Sequence, residues 1–507
     1  MTGVAARPPA LAGVAAGVPG PAGVPGPAGV PGPAGVPARI AGPAGVPAGV
    51  PGPAGVPGPA GVAARIAGPA GVPAGVPGPA GVPGPAGVPA GVPGSAGMAG
   101  PAAVPAGMSG GLLGSAPGGV PPVAGPDVLA IVERAGLVGR GGGGFPTARK
   151  MAAVTGRRRR PVLVANGAEG EPLSRKDEVL LATAPHLVLN GIALAARAVG
   201  ATEAHLCLHR GSPALPAVRA ALGPTDGLTV RLRETPRRYV ASEESALVHW
   251  LSGGPATPTS RPPLPTERGV RGAPTLILNV ETLATVALAV RHGPDRYRAV
   301  GDPAEPGRLL VTVAGAVPAP GVVEVPTGTA VGAVLERAGT GPGSVGAVLS
   351  GGFGGGWLGT EHAWWTPLTY AGLRSAGAAL GPGVLAALPR GACGLAETAR
   401  IVRYLAGESA GQCGPCVFGL PAIAGALDAV VRADRHAVEA VAAARRWADS
   451  VAGRGACRHP DGAARLVGSA LRVFADDVAR HARGKPCRGA AAGPVLAVPG
   501  PSTEDWR

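Results

Sequence analysis

The stretch ESAGQCGPC holds the residues with the most specific chemistry in the chain, Cys413 and Cys416, and Cys457 follows further along. A CxxC pair is typical of a zinc half-site, a redox dithiol or half of an iron–sulfur site. Gly411 and Pro415 favour a loop in which thiolates converge on one point. Spacing alone leaves three interpretations open: a cluster, zinc, or structural or free thiols.

A second stretch, GLVGRGGGGFPTARK, could bind a phosphate or a flat ring. Its glycines let backbone N–H groups approach a ligand closely, and Arg140 or Lys150 could supply positive charge. The spacing is not that of a Walker motif, and no predicted strand directly precedes the loop, as a dinucleotide fingerprint requires. Taken alone, the stretch is also compatible with a flexible loop.

Two further loops carry carboxylates. They hold Asn166, Glu169 and Glu171 in ANGAEGEP, and Tyr239, Glu243 and Glu244 in YVASEES. Carboxylates in loops are usually just solvated, but in a nucleotide site they would accept hydrogen bonds from ribose hydroxyls or a carboxamide. The sequence shows no Ser/His/Asp or Cys/His pairing, and its histidines have no spacing typical of metal ligands.

Periodicity predicts the elements that must position these groups. In residues 127–305, β-branched runs such as PVLVAN alternate with helical stretches such as HLVLNGIALAARAVGA, which predicts an α/β domain. Residues 306–385 begin with two strands joined by a Pro-Gly turn and continue with a helix, a small α+β unit. Residues 390–488 contain Ala-rich helical stretches that predict a helical bundle, with the two-cysteine motif at its entry.

Residues 1–126 form a low-complexity region dominated by GVPGPA, in which ARIAGPAGVPAGVPGPAGVPGPAGV begins at Ala38 and again at Ala64. Between Gly17 and Pro37 glycine falls at every third position, which is collagen phasing, and the phase then breaks. Gly, Pro, Ala and Val offer too little apolar volume for a core. The region is predicted to be a disordered tail with polyproline II character. A short collagen-like trimer and non-native sequence from a misplaced start codon are the alternatives.

The composition narrows the function classes. A net charge of +15 suits anionic partners such as nucleotides or acidic proteins, but an aromatic content of 3% argues against a nucleic-acid reader. The run at residues 157–160 predicts a solvated loop, with steering of anions as the alternative. Six cysteines are too few for a disulfide scaffold. With no signal peptide or uninterrupted apolar span, we expect no membrane insertion and a cytoplasmic location, free or peripheral to a membrane through a complex.

Five segments in order carry a family resemblance: GRGGGGFPTARK, NGAEGEP, YVASEES, RPPLPTERGVRGAPTLILNVETLA and ESAGQCGPC. Residues 126–488 resemble the flavin-bearing, NADH-oxidising subunit of respiratory complex I, a family that includes diaphorase subunits of hydrogenases and formate dehydrogenases. The resemblance implies an FMN-binding α/β domain, a β-grasp domain of the soluble ligand-binding type and a helical bundle with a [4Fe–4S] cluster. It also implies an oxidoreductase that passes hydride from NADH to FMN and single electrons through the cluster to an iron–sulfur partner subunit or ferredoxin.

The resemblance assigns roles by position. The residues matched to FMN or NADH contacts are Gly139, Arg140, Gly141, Gly142, Phe145, Lys150, Asn166, Glu169, Glu171, Tyr239, Glu243, Glu244, Asn279 and Thr282. Among them, Phe145 matches an aromatic residue that packs on the nicotinamide nucleotide, and Asn279 and Thr282 match a loop on the phosphate side of FMN. The matched cluster ligands are Cys413, Cys416 and Cys457.

The chain departs from the family pattern at five positions. Ala168 replaces an aspartate, Ser242 a glycine, Ala273 a lysine, Leu278 an asparagine and Ala410 the first cysteine of the cluster motif. A lost hydrogen bond to a buried partner costs about 1–3 kcal/mol, so the first four changes predict weaker FMN binding. Cys393, 17 residues upstream of Ala410, could in principle substitute, although a predicted helix intervenes. The incomplete cluster site could otherwise hold a three-iron form, accept a non-cysteine ligand or water, or stay empty. The alternative function is a degenerate relative that acts as a binding or assembly module without flavin turnover.

Overall fold

The computed structural model describes residues 111–224 and 227–507. The repeats of the predicted tail lie outside the described residues. The last part of that segment, residues 111–124, packs on the rest of the chain: Leu112 is buried, and the N–H groups of Leu112 and Leu113 donate to the Glu324 carboxylate at 2.8 and 3.1 Å. Within the described residues, packing on the rest of the chain therefore extends upstream of residue 126.

A parallel four-stranded sheet with the order β3–β2–β1–β4 forms the first region. Its strands are β1 (Val162–Asn166), β2 (Glu203–His209), β3 (Thr229–Thr235) and β4 (Thr275–Asn279). Its helices are α1 (Gly125–Arg134), α2 (Thr147–Ala152), α3 (Lys176–Thr183), α4 (Pro185–Val199), α5 (Leu215–Ala221), α6 (Glu244–Leu251), α7 (Val280–His292) and α8 (Pro294–Arg298). The predicted α/β region is thereby confirmed.

Two features of this sheet position the site. The buried, β-branched sequence of β1 places the strand at the centre of the sheet, next to β4. Asn166 and Asn279 are register partners at the ends of these two strands. Because parallel strands present their carboxyl ends at one edge, the loops that follow β1 and β4 meet there.

A mixed five-stranded sheet with the order β6–β5–β9–β7–β8 forms the second region. Strands β5 and β9 are parallel, and the other pairs are antiparallel. The elements are β5 (Arg308–Gly315), β6 (Gly321–Pro326), α9 (Val331–Arg337), β7 (Val345–Ser350), β8 (Gly356–Gly359), α10 (Thr360–Ala363), α11 (Tyr370–Ser375) and β9 (Val384–Pro389). The predicted hairpin and helix are present, and the β-grasp assignment stays a prediction.

Helices dominate the last region, as predicted. They are α12 (Gly394–Gly407), a π-helical turn (Pro415–Gly419), α13 (Leu420–Arg432), α14 (Ala437–Val451), α15 (His459–Val473) and α16 (Ala475–Ala482). The last predicted helical stretch is divided at Phe474 into α15 and α16. Buried leucine, isoleucine and alanine side chains of these helices share one core with the second sheet.

One helical segment, Pro415–Arg432, has the length and mean hydropathy of a membrane span. Its apolar residues Leu420, Ile423 and Leu427 are fully buried in the bundle core. Core helices of globular proteins can have the same length and mean hydropathy, so the segment is weak evidence for a membrane span.

The C-terminal residues return from the bundle to the first region. The N–H of Ser502 donates to Glu408 at 2.5 Å, and Arg210 pairs with Glu504 at 3.0 Å. The guanidinium of Arg238 lies 4.0 Å from the centre of the Trp506 ring. The C-terminal segment thus contacts the loops that follow β2 and β3 and the first residue of ESAGQCGPC.

Candidate functional site

A cavity of about 800 Å³ opens where β1 and β4 end. This volume lies within the range of roughly 300–1,000 Å³ found for small-molecule sites. Loops of both sheets and the start of α15 form its walls. The predicted site residues that line it are Gly141, Gly142, Asn166, Glu169, Glu171, Tyr239, Glu243 and Asn279. The glycine loop and both acidic loops, far apart in sequence, therefore meet at one cavity.

The glycine loop is held in place by two hydrogen bonds. The N–H of Arg140 donates to the Thr282 hydroxyl at 2.8 Å, and the Tyr370 hydroxyl donates to the Gly139 carbonyl at 2.7 Å. Gly142 has a φ of +110°, a conformation that residues with a side chain rarely adopt. The loop thus presents bare backbone to the cavity, as close approach of a flat ring or phosphate requires.

Arg140 and Thr282 support the loop and do not line the cavity. The Arg140 side chain is buried, and its guanidinium donates to the Pro306 carbonyl at 3.3 Å. Sequence reasoning expected a charge facing the ligand. The structure instead turns this side chain toward the second region, because the backbone of the loop occupies the cavity wall.

Lys150 and Glu244 meet each other. The Lys150 ammonium forms an ion pair with the Glu244 carboxylate, which ties α2 to the second acidic loop. Phe145 is half exposed, and the Arg149 guanidinium lies 5.7 Å from the centre of its ring. These three predicted residues lie beside the cavity and do not line it, and their contact with a nucleotide stays a prediction.

A buried lysine at the cavity was missed by sequence reasoning. The Lys176 ammonium lies 2.6 Å from Asp177 and 2.8 Å from Glu281, and it donates to the Asn279 side chain at 3.2 Å. Burial alone would lower the pKa of Lys176, but the two carboxylates raise it above its ordinary value. In SRKDEVLL this lysine resembles a solvated residue at the start of a helix, and only the fold turns it inward.

Two glutamates at the cavity titrate near neutral pH. Burial, followed by the charge of Asp177, raises the pKa of Glu169 to about 7. Burial raises the pKa of Glu171 to about 8, although the Phe353 N–H and the Tyr239 hydroxyl donate to it at 2.8 and 3.3 Å. Each carboxyl can therefore accept a hydrogen bond or, when protonated, donate one to a ligand.

The four departures around the predicted flavin site lie in two environments. Leu278 is packed in the apolar core beneath β4, and Ala273 in a small apolar cluster with Val270. Ala168 and Ser242 line the cavity. The Ser242 hydroxyl donates to the Tyr239 carbonyl at 3.3 Å, so it is engaged by its own turn. The hollow beside the glycine loop stays open despite these changes.

The three predicted cluster ligands share one small pocket. Cys413, Cys416 and Cys457 line it together with Ala410, which stands where the family pattern has a cysteine and offers no donor atom. Burial raises the pKa of Cys416 to about 12 and that of Cys457 to about 11. Without a metal these thiols are therefore protonated, and binding of iron would release their protons.

His459 lines the same pocket and was missed by sequence reasoning. Its Nε2 lies 2.8 Å from the Leu405 carbonyl, which assigns the ring proton to Nε2. Its Nδ1 is buried and has no hydrogen-bond partner. The ring therefore offers an unshared lone pair, and its position two residues after Cys457 was the available signal. The donor set fits an iron–sulfur cluster held by three thiolates and one further ligand.

Comparisons with known proteins agree with this geometry. Residues 132–288 match the family described as the Nuo51 FMN-binding domain, and residues 396–481 match the NADH-ubiquinone oxidoreductase-F iron-sulfur binding region. The NADH-quinone oxidoreductase F subunit of Streptomyces coelicolor is 32% identical over 379 residues, which cover 71% of this chain and 84% of that protein. The corresponding protein of Mycobacterium tuberculosis is 33% identical over 395 residues, covering 71% and 86%.

The fold is similar to that of a solved NAD+-reducing [NiFe]-hydrogenase. The air-oxidised structure has a TM-score of 0.64 and 32% identity, covering 74% of this chain and 65% of the hydrogenase chain. The H2-reduced structure gives 0.64 and 31%, covering 71% and 62%. The chain thus spans a little under two thirds of these hydrogenase chains. On the extent and identity of the curated matches, the chain belongs to the family of NADH-quinone oxidoreductase F subunits.

Proposed function

We propose that the chain is an NADH dehydrogenase-like electron-transfer subunit that binds FMN and NADH in the 800 Å³ cavity and an iron–sulfur cluster at the cysteine pocket. One observation carries the proposal: Cys457 and His459 line both the cavity and the cysteine pocket. A flavin in the cavity and a cluster in the pocket would therefore be separated by little more than one layer of side chains. A binding module without electron transfer would have no need of this adjacency.

The residues of the chain would bind and orient FMN and NADH, and no side chain has to act as a general acid or base. When bound, FMN accepts hydride from NADH and a cluster carries single electrons. Gly141 and Gly142 would admit the ring. Asn166 and Asn279 fix the ends of the two strands: the Asn166 side chain donates to the Ser242 carbonyl at 2.9 Å, and that of Asn279 to the Asn166 carbonyl at 3.2 Å.

Positive charge for phosphate groups comes from a different place than the sequence indicated. Lys150 is paired with Glu244 beside the cavity, whereas Arg465 and Arg458, which pairs with Asp461 at 2.8 Å, line it. Both arginines are on the bundle side of the cavity. We expect them to offset the pyrophosphate charge of NADH, because one guanidinium group can donate two parallel hydrogen bonds to phosphate oxygens.

His459 would supply the ligand that the missing fourth cysteine provides in the family pattern. We place its Nδ1 on the iron that Cys413, Cys416 and Cys457 leave without a thiolate, since imidazole replaces cysteine in some iron–sulfur centres. The support is the unpartnered, buried Nδ1 in the shared pocket. Cys393 cannot serve, because it lies at the opposite end of α12, a helix of 14 residues and so about 21 Å long.

The finer assignments belong to the same proposal. The second sheet is a β-grasp domain, the matched residues that line the cavity contact FMN or NADH, and the chain works in the cytoplasm. Its acceptor is an iron–sulfur subunit or a ferredoxin. Val417 and Phe418, which follow Cys416, are 42% and 70% exposed. Exposed apolar side chains next to the cysteine pocket favour a partner surface at that point.

The proposal is tested by titrating the anaerobically purified chain with NADH. We expect the flavin absorbance to bleach with stoichiometric NADH and ferricyanide to be reduced catalytically. His459→Ala should leave the bleaching intact and change the electron paramagnetic resonance spectrum of the reduced cluster. The double variant His459→Ala/Ala410→Cys should restore a four-ligand spectrum. A colourless chain that FMN and iron cannot reconstitute would leave the binding or assembly module as the function.

A further inference from the structure

A second group of metal-ligand atoms lies at the other end of α12. The ligand atoms of Cys393, His481 and Cys487 all lie within 4.8 Å of one another. They come from the start of α12, the last turn of α16 and the segment that follows α16. Neither the two-cysteine motif nor the matched cofactor residues include any of them, so the proposed electron-transfer function does not use this group.

The histidine of the triad is fixed in the form that binds a metal. The Nδ1 of His481 lies 3.0 and 3.2 Å from the carbonyl oxygens of Val430 and Val431, so the ring proton belongs on Nδ1. The Nε2 lone pair then faces the sulfur of Cys393 at 3.9 Å. A backbone carbonyl that holds the far N–H is the usual outer partner of a metal-bound histidine. His481 is fully buried, so protein groups alone set the orientation of its ring.

The two cysteines of the triad differ in their exposure. Cys393 is buried, and its sulfur accepts the N–H of Ala396 at 3.4 Å as the N-cap of α12, although burial raises the pKa of its thiol to about 12. Cys487 is half-buried, and its N–H donates to His481 Nε2 at 3.1 Å, a bond that an ion on Nε2 would replace. Solvent can therefore reach the triad past Cys487.

We propose that Cys393, His481 and Cys487 form a mononuclear Zn²⁺ site with a water molecule in the fourth position. Thiolate and imidazole ligands in a compact group are the donor set that Zn²⁺ prefers, and sulfurs bound at about 2.3 Å to one ion lie close together. Binding releases the two thiol protons, and two thiolates then neutralise the dication, so the buried site carries no net charge. The ion staples the segment after α16 to the first turn of α12.

The geometry separates this site from the cysteine pocket. The sulfurs of Cys413, Cys416 and Cys457 line one pocket but do not form such a compact group within the described residues, which suits ligands of different irons in a cluster. The triad would instead bond one ion. The length of α12, about 21 Å, keeps the two sites apart.

The test uses the full-length chain, purified without oxygen, with Zn²⁺ alone as the probe. We expect wild-type protein to retain stoichiometric zinc besides iron, and Co²⁺ replacement to give thiolate charge-transfer absorption with tetrahedral visible bands. Cys487→Ser should lose zinc and keep iron, with zinc affinity at least about 100-fold weaker. His436→Gln, at an exposed histidine outside the triad, is the matched control and should bind as the wild type does.

A second variant tests whether zinc binding at the triad is independent of the cysteine pocket. The triple variant Cys413→Ser/Cys416→Ser/Cys457→Ser should lose iron and still bind stoichiometric zinc. Wild-type protein that binds no zinc, unchanged zinc affinity in Cys487→Ser, or recovery of a Cys393–Cys487 disulfide from protein kept with Zn²⁺ would each overturn the proposal. None of these outcomes bears on flavin reduction by NADH, so a failure here is distinguishable from a failure of the proposed function.

Discussion

The nucleotide cavity and the cysteine pocket absorb departures from the family pattern in different ways. At the cavity, Leu278 and Ala273 point into apolar clusters and change the core under the site, while Ala168 and Ser242 line a wall that is built largely of backbone and other polar groups. At the pocket, Ala410 lies on the wall that Cys413 and Cys416 share. A replacement is costly where the lost side chain supplied a ligand atom. It is tolerated where the backbone or a neighbouring side chain makes the contact with the ligand.

The difference has a physical basis. A cavity lined by backbone and many polar groups loses a fraction of its binding energy with each changed contact, about 1–3 kcal/mol for a buried hydrogen bond. A metal site has few ligands, and each supplies a bond that no other group replaces unless a donor already stands nearby. His459, with its free Nδ1, is such a donor.

The largest effect is expected from Cys416→Ser. Removing a second thiolate from a pocket that already lacks one should abolish iron binding, while FMN content stays unchanged because Cys416 does not line the cavity. Iron and flavin analysis of the anaerobically purified variant measures both. Cys207→Ala is the control, since Cys207 is buried in β2 and lines neither site. Equal loss of iron and flavin would show that the two sites are not independent.

Gly142→Val should weaken FMN binding without loss of iron. Forcing a β-branched residue to a φ of +110° costs about 1–3 kcal/mol, and if the loop moves to relieve that strain, FMN affinity falls about 10- to 100-fold. Fluorescence titration of the flavin-free protein measures the change. The paired control is Gly119→Ala, outside the cavity, because a Cβ at Gly119 has no atom within 4 Å and should leave affinity within about twofold. Equal losses in both variants would contradict this account of the loop.

Restoring the family asparagine at Leu278 should not improve flavin binding. Leu278 is buried among apolar side chains, so Leu278→Asn should lower the free energy of unfolding by about 1–3 kcal/mol. FMN affinity should stay unchanged, because the neighbouring Asn279 lines the cavity and Leu278 does not. Urea unfolding and flavin titration measure the two quantities. A tighter flavin complex in this variant would place residue 278 at the site after all.

The most gradual effect is the pH dependence of stability. The folded-state pKa of Glu171 is raised from 4.5 to about 8, so the folded chain holds a proton that the unfolded chain has released between these values. This contribution to stability is therefore full below about pH 4.5 and is lost as pH rises through about 8, with a slope of at most about 1.4 kcal/mol per pH unit. Glu171→Gln should remove that slope. An unchanged pH profile between wild type and variant would show that Glu171 is ionised throughout.

The sequence predicted the parts of the fold and site that depend on local pattern. Alternation in PVLVAN and HLVLNGIALAARAVGA predicts β1 and α4, and the order of the five motifs predicts which loops meet. The convergence of Cys413, Cys416 and Cys457 was also expected, and the structure places them in one pocket.

The rest depends on contacts between distant segments. Lys176 reaches the cavity because the start of α3 lies against the first turn of α7, where Glu281 pairs with it, and no local pattern distinguishes it from a solvated lysine. The triad of Cys393, His481 and Cys487 has no regular spacing, since three separate segments supply its members. Arg140 was predicted to face the ligand, but burial against Pro306 depends on the packing of the two regions.

We expect the open cavity and the adjoining pocket still to hold a flavin and an iron–sulfur cluster despite the five replacements. The most direct test is the FMN, iron and acid-labile sulfide content of the full-length chain purified without oxygen. The account predicts about one FMN per chain, released on denaturation, together with iron and sulfide in the ratio of a cluster. A chain that contains neither flavin nor sulfide, and takes up neither on reconstitution, would contradict it.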